Sequence, residues 1–404
     1  MHGNPGAADA LAREIARVNQ LTRAMLEEYV SWSGKISYGE THYVLYGDML
    51  DFVNFRMETA DSCLLMIEHR KLADSLGLSR SLLEHYLLLM LMCRGRKYFR
   101  LQDLSALSEA DFKARFEKQD AELRELQAQA KTQCLAVKKY PRAKRHLMYV
   151  FEGLRSSDES DFIIPAHFFH FQEFDPEIMR LKDEDYFQYY QPKPEAKRRD
   201  RDYQQELVFR YRHYLSYDAL LQCLELNDLV DSATLVRIEA HYTFLGKFLH
   251  PTHNAARDLH EHSNVHSGKT AIGMDQEYSK VAVLLAALYV CYNVAGLVDE
   301  VAGLVENAPP KYVKQAGTDA LRSLTARVAT DFPYFWFLFN DPPLYDRYNY
   351  CSHHASNEQL AAWGHYSNVP KECVLFDQHI YSHLERALGG WSNARCGVYT
   401  SPIS

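Results

Sequence analysis

Residues 281–298 read VAVLLAALYVCYNVAGLV, a run without a charged side chain. A run of this length is just long enough to cross a bilayer. Asn293 interrupts it, neither end carries a cluster of Lys or Arg, and we find no second span of this kind. We therefore predict a helix that is buried on all sides at the centre of the core, with no stable membrane insertion.

Apolar residues at three- and four-residue spacing recur along much of the remaining chain, and this spacing predicts amphipathic helices. The predicted helices cover residues 8–32, 43–73, 110–131, 205–226, 232–249, 277–306, 312–329 and 377–388. A further helix, capped by Ser75 or Ser79, ends near Cys93, and Ser232 is predicted to cap its own helix. No strand alternation is long enough to build a sheet, so the expected fold class is all-α.

Composition shifts divide the chain into four predicted regions. Residues 1–136 and 204–330 are helical and should form one bundle core together. Residues 137–203 are basic, aromatic and punctuated by proline, which indicates an irregular insertion or linker. Residues 331–404 form an aromatic extension that we expect to pack on the core, because so many exposed aromatic residues would promote aggregation.

The bulk composition narrows the class of protein. The chain has 404 residues, a net charge of −8 and a hydrophobic fraction of 47%, which are ordinary values for a globular protein. Its acidity argues against a general nucleic-acid coat protein but leaves room for a local RNA-binding patch. The eight cysteines are scattered and no signal peptide is indicated, so we expect reduced thiols and a cytoplasmic location.

Two charged residues share one face of a helix that also carries core residues. Arg80 and Glu84 are four residues apart, and the same face continues into Leu83 and Leu87. Charges at the edge of a core are rare unless they are paired or functional. The pair is therefore either a catalytic or binding element, or an ion pair that anchors the helix.

A histidine follows the predicted helix 232–249. His250 precedes Pro251, which ends the helix, and the helix dipole there favours the protonated imidazole. Such a histidine suits proton donation or phosphate contact, although it could equally only cap the helix. Tyr242 lies two turns earlier on the same face and could line a pocket, and Asn254 is a further candidate binding residue.

Histidines and basic residues outside this motif give weaker signals. His253, His260, His262 and His266 lack the spacing of a metal-binding motif, so we predict no metal and no cofactor. Cations interleaved with aromatic residues could form an RNA-facing rim, or only a solvated surface. The candidates for such a rim are Lys138, Lys139, Arg142, Arg198 and Arg199.

Two of these segments together resemble a group of bacterial helical proteins related to the HEPN superfamily. One helix of that group carries an R-x-x-x-E pattern, which here is RSLLE from Arg80 to Glu84. A later helix ends in Y-x-x-L-S-x-x-x-H-P, which here is YTFLGKFLHP, and an apolar helix follows. The resemblance covers about residues 45–95 and 205–305, and Gly246 stands where the pattern has Ser.

The resemblance implies a HEPN-like bundle, and many HEPN proteins are metal-independent ribonucleases that act as toxins or antiviral defence effectors. It implies Arg80, Glu84 and His250 as catalytic residues and a homodimer as the assembly. The HEPN signature, Arg followed after four to six residues by His, also fits Arg80 to His85 and Arg257 to His262. On a regular helix, however, five steps place Arg80 and His85 roughly 140° apart.

Three functional hypotheses follow from these patterns. The leading hypothesis is a metal-independent endoribonuclease of bacterial defence or toxicity. The second is a non-enzymatic sensor or adaptor module that binds a protein or nucleotide partner, in which the same polar residues hold the core together. The third is a histidine-ligated metal protein. Exposure of the polar residues discriminates the first two, because a catalytic set must line a cleft that is open to solvent.

Overall fold

The structure is a computed structural model of the chain. It describes residues 5–39, 44–95, 97–132, 134–139, 144–152, 163–165, 174–175, 180–181, 217–249, 278–308, 310, 312–315, 317–332, 338, 344–370, 373–374 and 384.

The described residues are predominantly helical, which confirms the predicted all-α character. The helices are α1 (Pro5–Ser33), α2 (Val44–Glu68), α3 (Leu72–Arg94), α4 (Glu109–Ala128), α5 (Tyr217–Leu226), α6 (Ser232–Leu249), α7 (Lys280–Glu306), α8 (Asp319–Asp331), α9 (Leu344–His353) and α10 (Asn357–Trp363). A short 3-10 helix, Tyr366–Asn368, follows α10.

A sheet is nevertheless present, contrary to the prediction that the chain has none. The strands are β1 (Ser37–Tyr38), β2 (Lys97–Asp103), β3 (Cys134–Lys139), β4 (His146–Glu152), β5 (Ile163–Pro165), β6 (Phe174–Asp175), β7 (Arg180–Leu181) and β8 (Val313–Gln315). Four of them form an antiparallel sheet in the order β3-β4-β2-β5, and the other four form two short pairs, β1-β8 and β6-β7. The predicted boundary between residues 136 and 137 lies inside β3.

The chain divides into two compact units. Unit 1 comprises residues 1–86, 231–306 and 310–404, and unit 2 comprises residues 87–230 and 307–309. Unit 1 is therefore assembled from widely separated stretches of sequence.

Helix α7 is the centre of unit 1, as its sequence predicts. α1, α2 and α8 all pack against it. Its side chains are buried around the whole circumference, including Leu284, Leu285, Leu288 and Asn293, each of which is 0% exposed. By length and composition α3 and α7 could each cross a membrane, but 83% of the most apolar window of α7 is buried inside the protein.

The helix predicted over residues 43–73 ends earlier than predicted, and the next helix also begins earlier. α2 ends at Glu68 and α3 begins at Leu72, because Arg70 adopts a left-handed conformation with φ of 58°. Ser75 and Ser79 therefore lie within α3 and do not cap it. The Ser75 hydroxyl donates to the Cys63 carbonyl at 3.1 Å and so ties α3 to α2.

Other predicted boundaries need smaller corrections. α6 spans Ser232–Leu249 as predicted, but its cap is Asp231, whose carboxylate accepts from the Thr234 amide at 2.7 Å. The helix predicted over 312–329 begins only at Asp319, because residues 313–315 form β8. The helix predicted over 377–388 lies outside the described residues except for Leu384, which is buried.

Unit 2 has its own small core. α4 begins at its cap, Ser108, and packs on one face of the sheet. The buried residues of this core are Phe112, Leu123, Cys134, Val137, Leu147 and Tyr149. Thus the stretch expected to be an irregular insertion supplies part of β3 and all of β4 and β5 to the four-stranded sheet.

Candidate active site

The candidate site lies in unit 1, where α3 and α6 approach each other closely in opposite directions. Gly77 of α3 lies opposite Leu249, since a Cβ added at Gly77 would be 3.4 Å from Leu249 Cδ2. Further along α3, Arg80 lies opposite Gly246 and Tyr242. These contacts bring together two sequence motifs that are far apart in the chain.

Arg80 is held in place by three contacts. Its Nε donates to Glu84 Oε1 at 3.2 Å, and its Nη2 donates to the Tyr242 hydroxyl. Its guanidinium carbon also lies 3.9 Å from the centre of the Tyr242 ring, a cation–π contact. The planar guanidinium is therefore fixed in position before any ligand arrives.

Tyr242 joins the two charged residues. Its hydroxyl accepts from Arg80 and interacts by hydrogen bonding with Glu84, so it donates its proton to the carboxylate. Burial raises the pKa of Tyr242 above its usual value, Glu84 raises it further, and Arg80 lowers it. The phenol therefore stays protonated at neutral pH and serves as a bridge, not as a base.

The cluster is partly open to solvent. The side chain of Arg80 is 17% exposed and that of Glu84 is 41% exposed. Arg80 has five N–H groups, and among the described residues two of them have a hydrogen-bond acceptor. The cluster is therefore not sealed inside the core, and the remaining N–H groups of Arg80 can donate hydrogen bonds to an anionic ligand.

Gly246 decides how closely Arg80 can approach α6. A Cβ added at this position would lie 3.0 Å from Arg80 Nη1, which is tighter than an ordinary contact. The serine of the resembling pattern would therefore crowd the guanidinium where it stands here. The departure of Gly246 from that pattern makes room for Arg80.

We expect Gly246→Ala to be coupled energetically to Arg80. Alanine in a helix interior normally gains about 1 kcal/mol over glycine, but here the new methyl group must displace the guanidinium. Gly246→Ala should therefore raise the free energy of unfolding only when Arg80 is also replaced by alanine. A double-mutant cycle measured by urea unfolding should give a coupling energy of about 1 kcal/mol between the two positions. Gly47→Ala is the matched control, because no atom lies within 4 Å of its added Cβ, and a similar coupling there would contradict the argument.

His85 faces a different helix from Arg80, as the predicted angular separation requires. Its Nε2 donates to the Phe52 carbonyl at 2.8 Å, its Nδ1 accepts from Arg56 Nε at 3.0 Å, and its ring stacks on Phe52 at 3.6 Å. Burial lowers the pKa of His85 to about 4. Both ring nitrogens of His85 therefore have hydrogen-bond partners within unit 1. This arrangement favours a positioning role for His85 over acid–base catalysis.

Arg56 is the residue near this site that sequence reasoning missed. It lies on α2, its guanidinium carbon is 4.7 Å from the centre of the Phe55 ring, and Glu84 raises its pKa against the lowering effect of burial. The charge of Glu84 therefore acts on Arg56 as well as on Arg80. An arginine inside the apolar stretch FVNFRM was the available signal.

The remaining sequence candidates either lie outside the described residues or belong to unit 2. His250, Asn254, Arg257, His262, Arg142, Arg198 and Arg199 lie outside the described residues. Lys138 and Lys139 are exposed on β3, and both belong to unit 2, whereas Arg80, Glu84 and Tyr242 belong to unit 1. Among the residues that the structure describes, no group of three or more His, Cys, Asp or Glu side chains could hold a metal ion.

Comparison of the chain with protein-family models, with curated proteins and with solved structures gave no significant match in any of the three.

Proposed function

We propose that this protein is a metal-independent endoribonuclease in which Arg80 binds the scissile phosphate and His250 transfers a proton. The observation that carries the proposal is the fixed, partly exposed guanidinium of Arg80 opposite Gly246. His250 follows directly after the last residue of α6, four residues beyond Gly246 in the sequence. The resemblance described above suggests the same residues and a role in bacterial defence or toxicity, in the cytoplasm and as a homodimer.

The proposed chemistry is an attack of the ribose 2′-oxygen on the adjacent phosphorus. The new P–O2′ bond forms, the P–O5′ bond breaks, and the products are a 2′,3′-cyclic phosphate and a 5′-hydroxyl. The 2′-hydroxyl loses its proton to water, and protonated His250 supplies a proton to the leaving 5′-oxygen. Arg80 stabilises the negative charge that grows on the phosphate oxygens.

Glu84 and Tyr242 have supporting roles in this proposal. Glu84 orients Arg80 through Nε, and Tyr242 orients it through Nη2 and through its ring. Such an arrangement costs little reorganisation when the phosphate binds, because the guanidinium is already immobilised. Fixed donors of this kind are what an electrostatic catalyst needs.

The rival function is a sensor or adaptor module, and one observation favours it. Arg80 already has two hydrogen-bonding partners and a ring contact, so the cluster would also serve as a polar link between α3 and α6. In that case the residues would stabilise the fold and no reaction would depend on them. The two functions therefore differ in whether a folded Arg80 variant loses an activity.

The test is cleavage of total RNA and tRNA in EDTA by the wild type, Arg80→Ala, Arg80→Lys and His250→Ala. We expect Arg80→Ala and His250→Ala each to lower the rate by about 100-fold to 1,000-fold. Arg80→Lys should retain part of the activity, because lysine keeps the charge but not the bidentate fork. Circular dichroism spectra must show that every variant is folded.

Arg327→Ala provides a matched control, because Arg327 forms an ion pair of the same four-residue spacing with Asp331 on another helix. This variant should cleave RNA like the wild type. Cleavage that survives both Arg80→Ala and His250→Ala would refute the proposed site. A wild type that leaves all RNA intact would instead favour the adaptor function.

A further inference from the structure

Arg56 is held in position by a series of contacts that runs from Phe52 through His85 and includes Phe55. The Phe52 carbonyl accepts from His85 Nε2, which leaves His85 Nδ1 as an acceptor for Arg56 Nε. Phe55 contacts the guanidinium from a second side, and its own side chain is 59% exposed. A buried, neutral histidine thus serves to hold an arginine at the surface of unit 1.

Within the described part of the chain, the two terminal amino groups of Arg56 are available for a ligand. Among the described residues, the only hydrogen-bond acceptor of this side chain is His85, and it is engaged through Nε. The four N–H groups on Nη1 and Nη2 therefore have no acceptor within that part of the chain. Glu84 lies near enough to affect the pKa of Arg56 but is itself bonded to Arg80.

The α3 residue that Arg56 contacts lies roughly 1.4 helical turns beyond Arg80. Arg56 bonds to His85, whereas Arg80 projects from a position five residues earlier. Five residues of helix rise by roughly 7.5 Å. Glu84 accepts from Arg80 and also raises the pKa of Arg56, so this one carboxylate acts on both guanidinium groups. Two arginines and one carboxylate leave an excess of positive charge among these three side chains, and two separate guanidinium groups can each bind one phosphate of a strand.

We infer that Arg56 is a second phosphate-binding residue beside Arg80, that His85 positions it, and that the ligand is a single RNA strand whose neighbouring phosphates contact the two arginines. This inference rests on the proposed function for the nature of the ligand. It assigns to the Arg-to-His motif a role different from catalysis: His85 acts on the substrate only through Arg56.

The test measures binding instead of cleavage. A short fluorescein-labelled oligouridylate is titrated by fluorescence anisotropy into the His250→Ala protein at several salt concentrations. Added to this background, Arg56→Ala should raise Kd roughly tenfold and should reduce the slope of log K against log salt by about 0.7, the value for one phosphate contact on a single strand. Arg80→Ala should have a similar effect. The variant that combines Arg56→Ala with Arg80→Ala should reduce the slope of log K against log salt by about 1.4.

His85 is tested by two substitutions. His85→Leu removes the acceptor and should reproduce the loss of slope seen in Arg56→Ala, whereas His85→Asn keeps an acceptor near the Nδ1 position and should restore most of it. A merely structural role would not change the salt slope of a folded variant. Arg327→Ala, added to the same background, is the control and should leave Kd and slope unchanged.

The outcomes separate this inference from the proposed function. If Arg80→Ala lowers the slope and Arg56→Ala does not, Arg56 is no phosphate contact and the inference is wrong, while the nuclease proposal stands. If both arginines contribute to the slope but the wild type cleaves nothing, the binding surface is real and the nuclease proposal is wrong. If the His250→Ala protein does not bind the oligonucleotide at low salt, the inference is overturned.

Discussion

Leu288→Ala should lower the free energy of unfolding by about 3–5 kcal/mol, the usual cost of removing a fully buried leucine side chain. Leu288 lies in the middle of α7 and is 0% exposed. α1, α2 and α8 all pack against this helix, so the surrounding elements cannot collapse around the cavity without moving one another. Urea unfolding followed by circular dichroism measures the change.

Leu65→Ala is the matched control for this prediction. Leu65 lies on α2 with 44% of its surface exposed, so the same chemical change removes far fewer contacts. We expect a loss below about 1 kcal/mol. Equal losses at Leu65 and Leu288 would contradict the central position of α7 in the core.

Lowering the pH from 7 to 4 should remove roughly 3 kcal/mol of stability through His85 alone. Burial lowers the pKa of His85 in the native state to about 4, whereas His85 in the unfolded chain should have the ordinary histidine pKa of 6.5. Below pH 6.5 His85 is therefore protonated in the unfolded state, whereas in the native state it stays neutral until the pH approaches 4. The contribution of His85 to the free energy of unfolding is complete above pH 6.5 and is lost progressively as the pH falls to 4.

Comparison with His85→Asn isolates this contribution. Other groups also make the protein less stable in acid; for example, a hydrogen bond from Arg322 lowers the pKa of Glu306. Those groups act equally in both proteins, so the difference between the two curves of stability against pH reports His85. We expect the wild type to lose more stability than His85→Asn between pH 7 and 4. Parallel curves would show that His85 titrates normally in the native state.

The sequence predicts helices well where the apolar pattern is long and uniform. α6 occupies the predicted residues, and α7 is buried all round because nearly every position in it is apolar. The break between α2 and α3 lies a few residues earlier than predicted, because neither glycine nor proline marks Arg70. β2 and β4 were missed because long-range strand pairing, and not local alternation, determines that they form a sheet.

The candidate site was predictable in part. The spacing of Arg80 and Glu84 indicates that they share a face, and the structure places Tyr242 of a distant helix against both. The partnership of His85 with Arg56 was not predictable, because it depends on the rotation of α2 about its axis relative to α3. Hydrophobic periodicity gives the buried face of each helix but not which polar side chains on two such faces meet.

The composition of unit 1 from separate stretches of chain has a consequence for biosynthesis. α1 packs mainly against α7, and roughly 250 residues lie between them in sequence. At a translation rate of about 5–20 residues per second, α7 is synthesised on the order of ten to fifty seconds after α1. The apolar face of α1 remains without its main packing partner for that time. During that interval the nascent chain presents uncovered hydrophobic surface, and a chain terminated before residue 280 can never cover it.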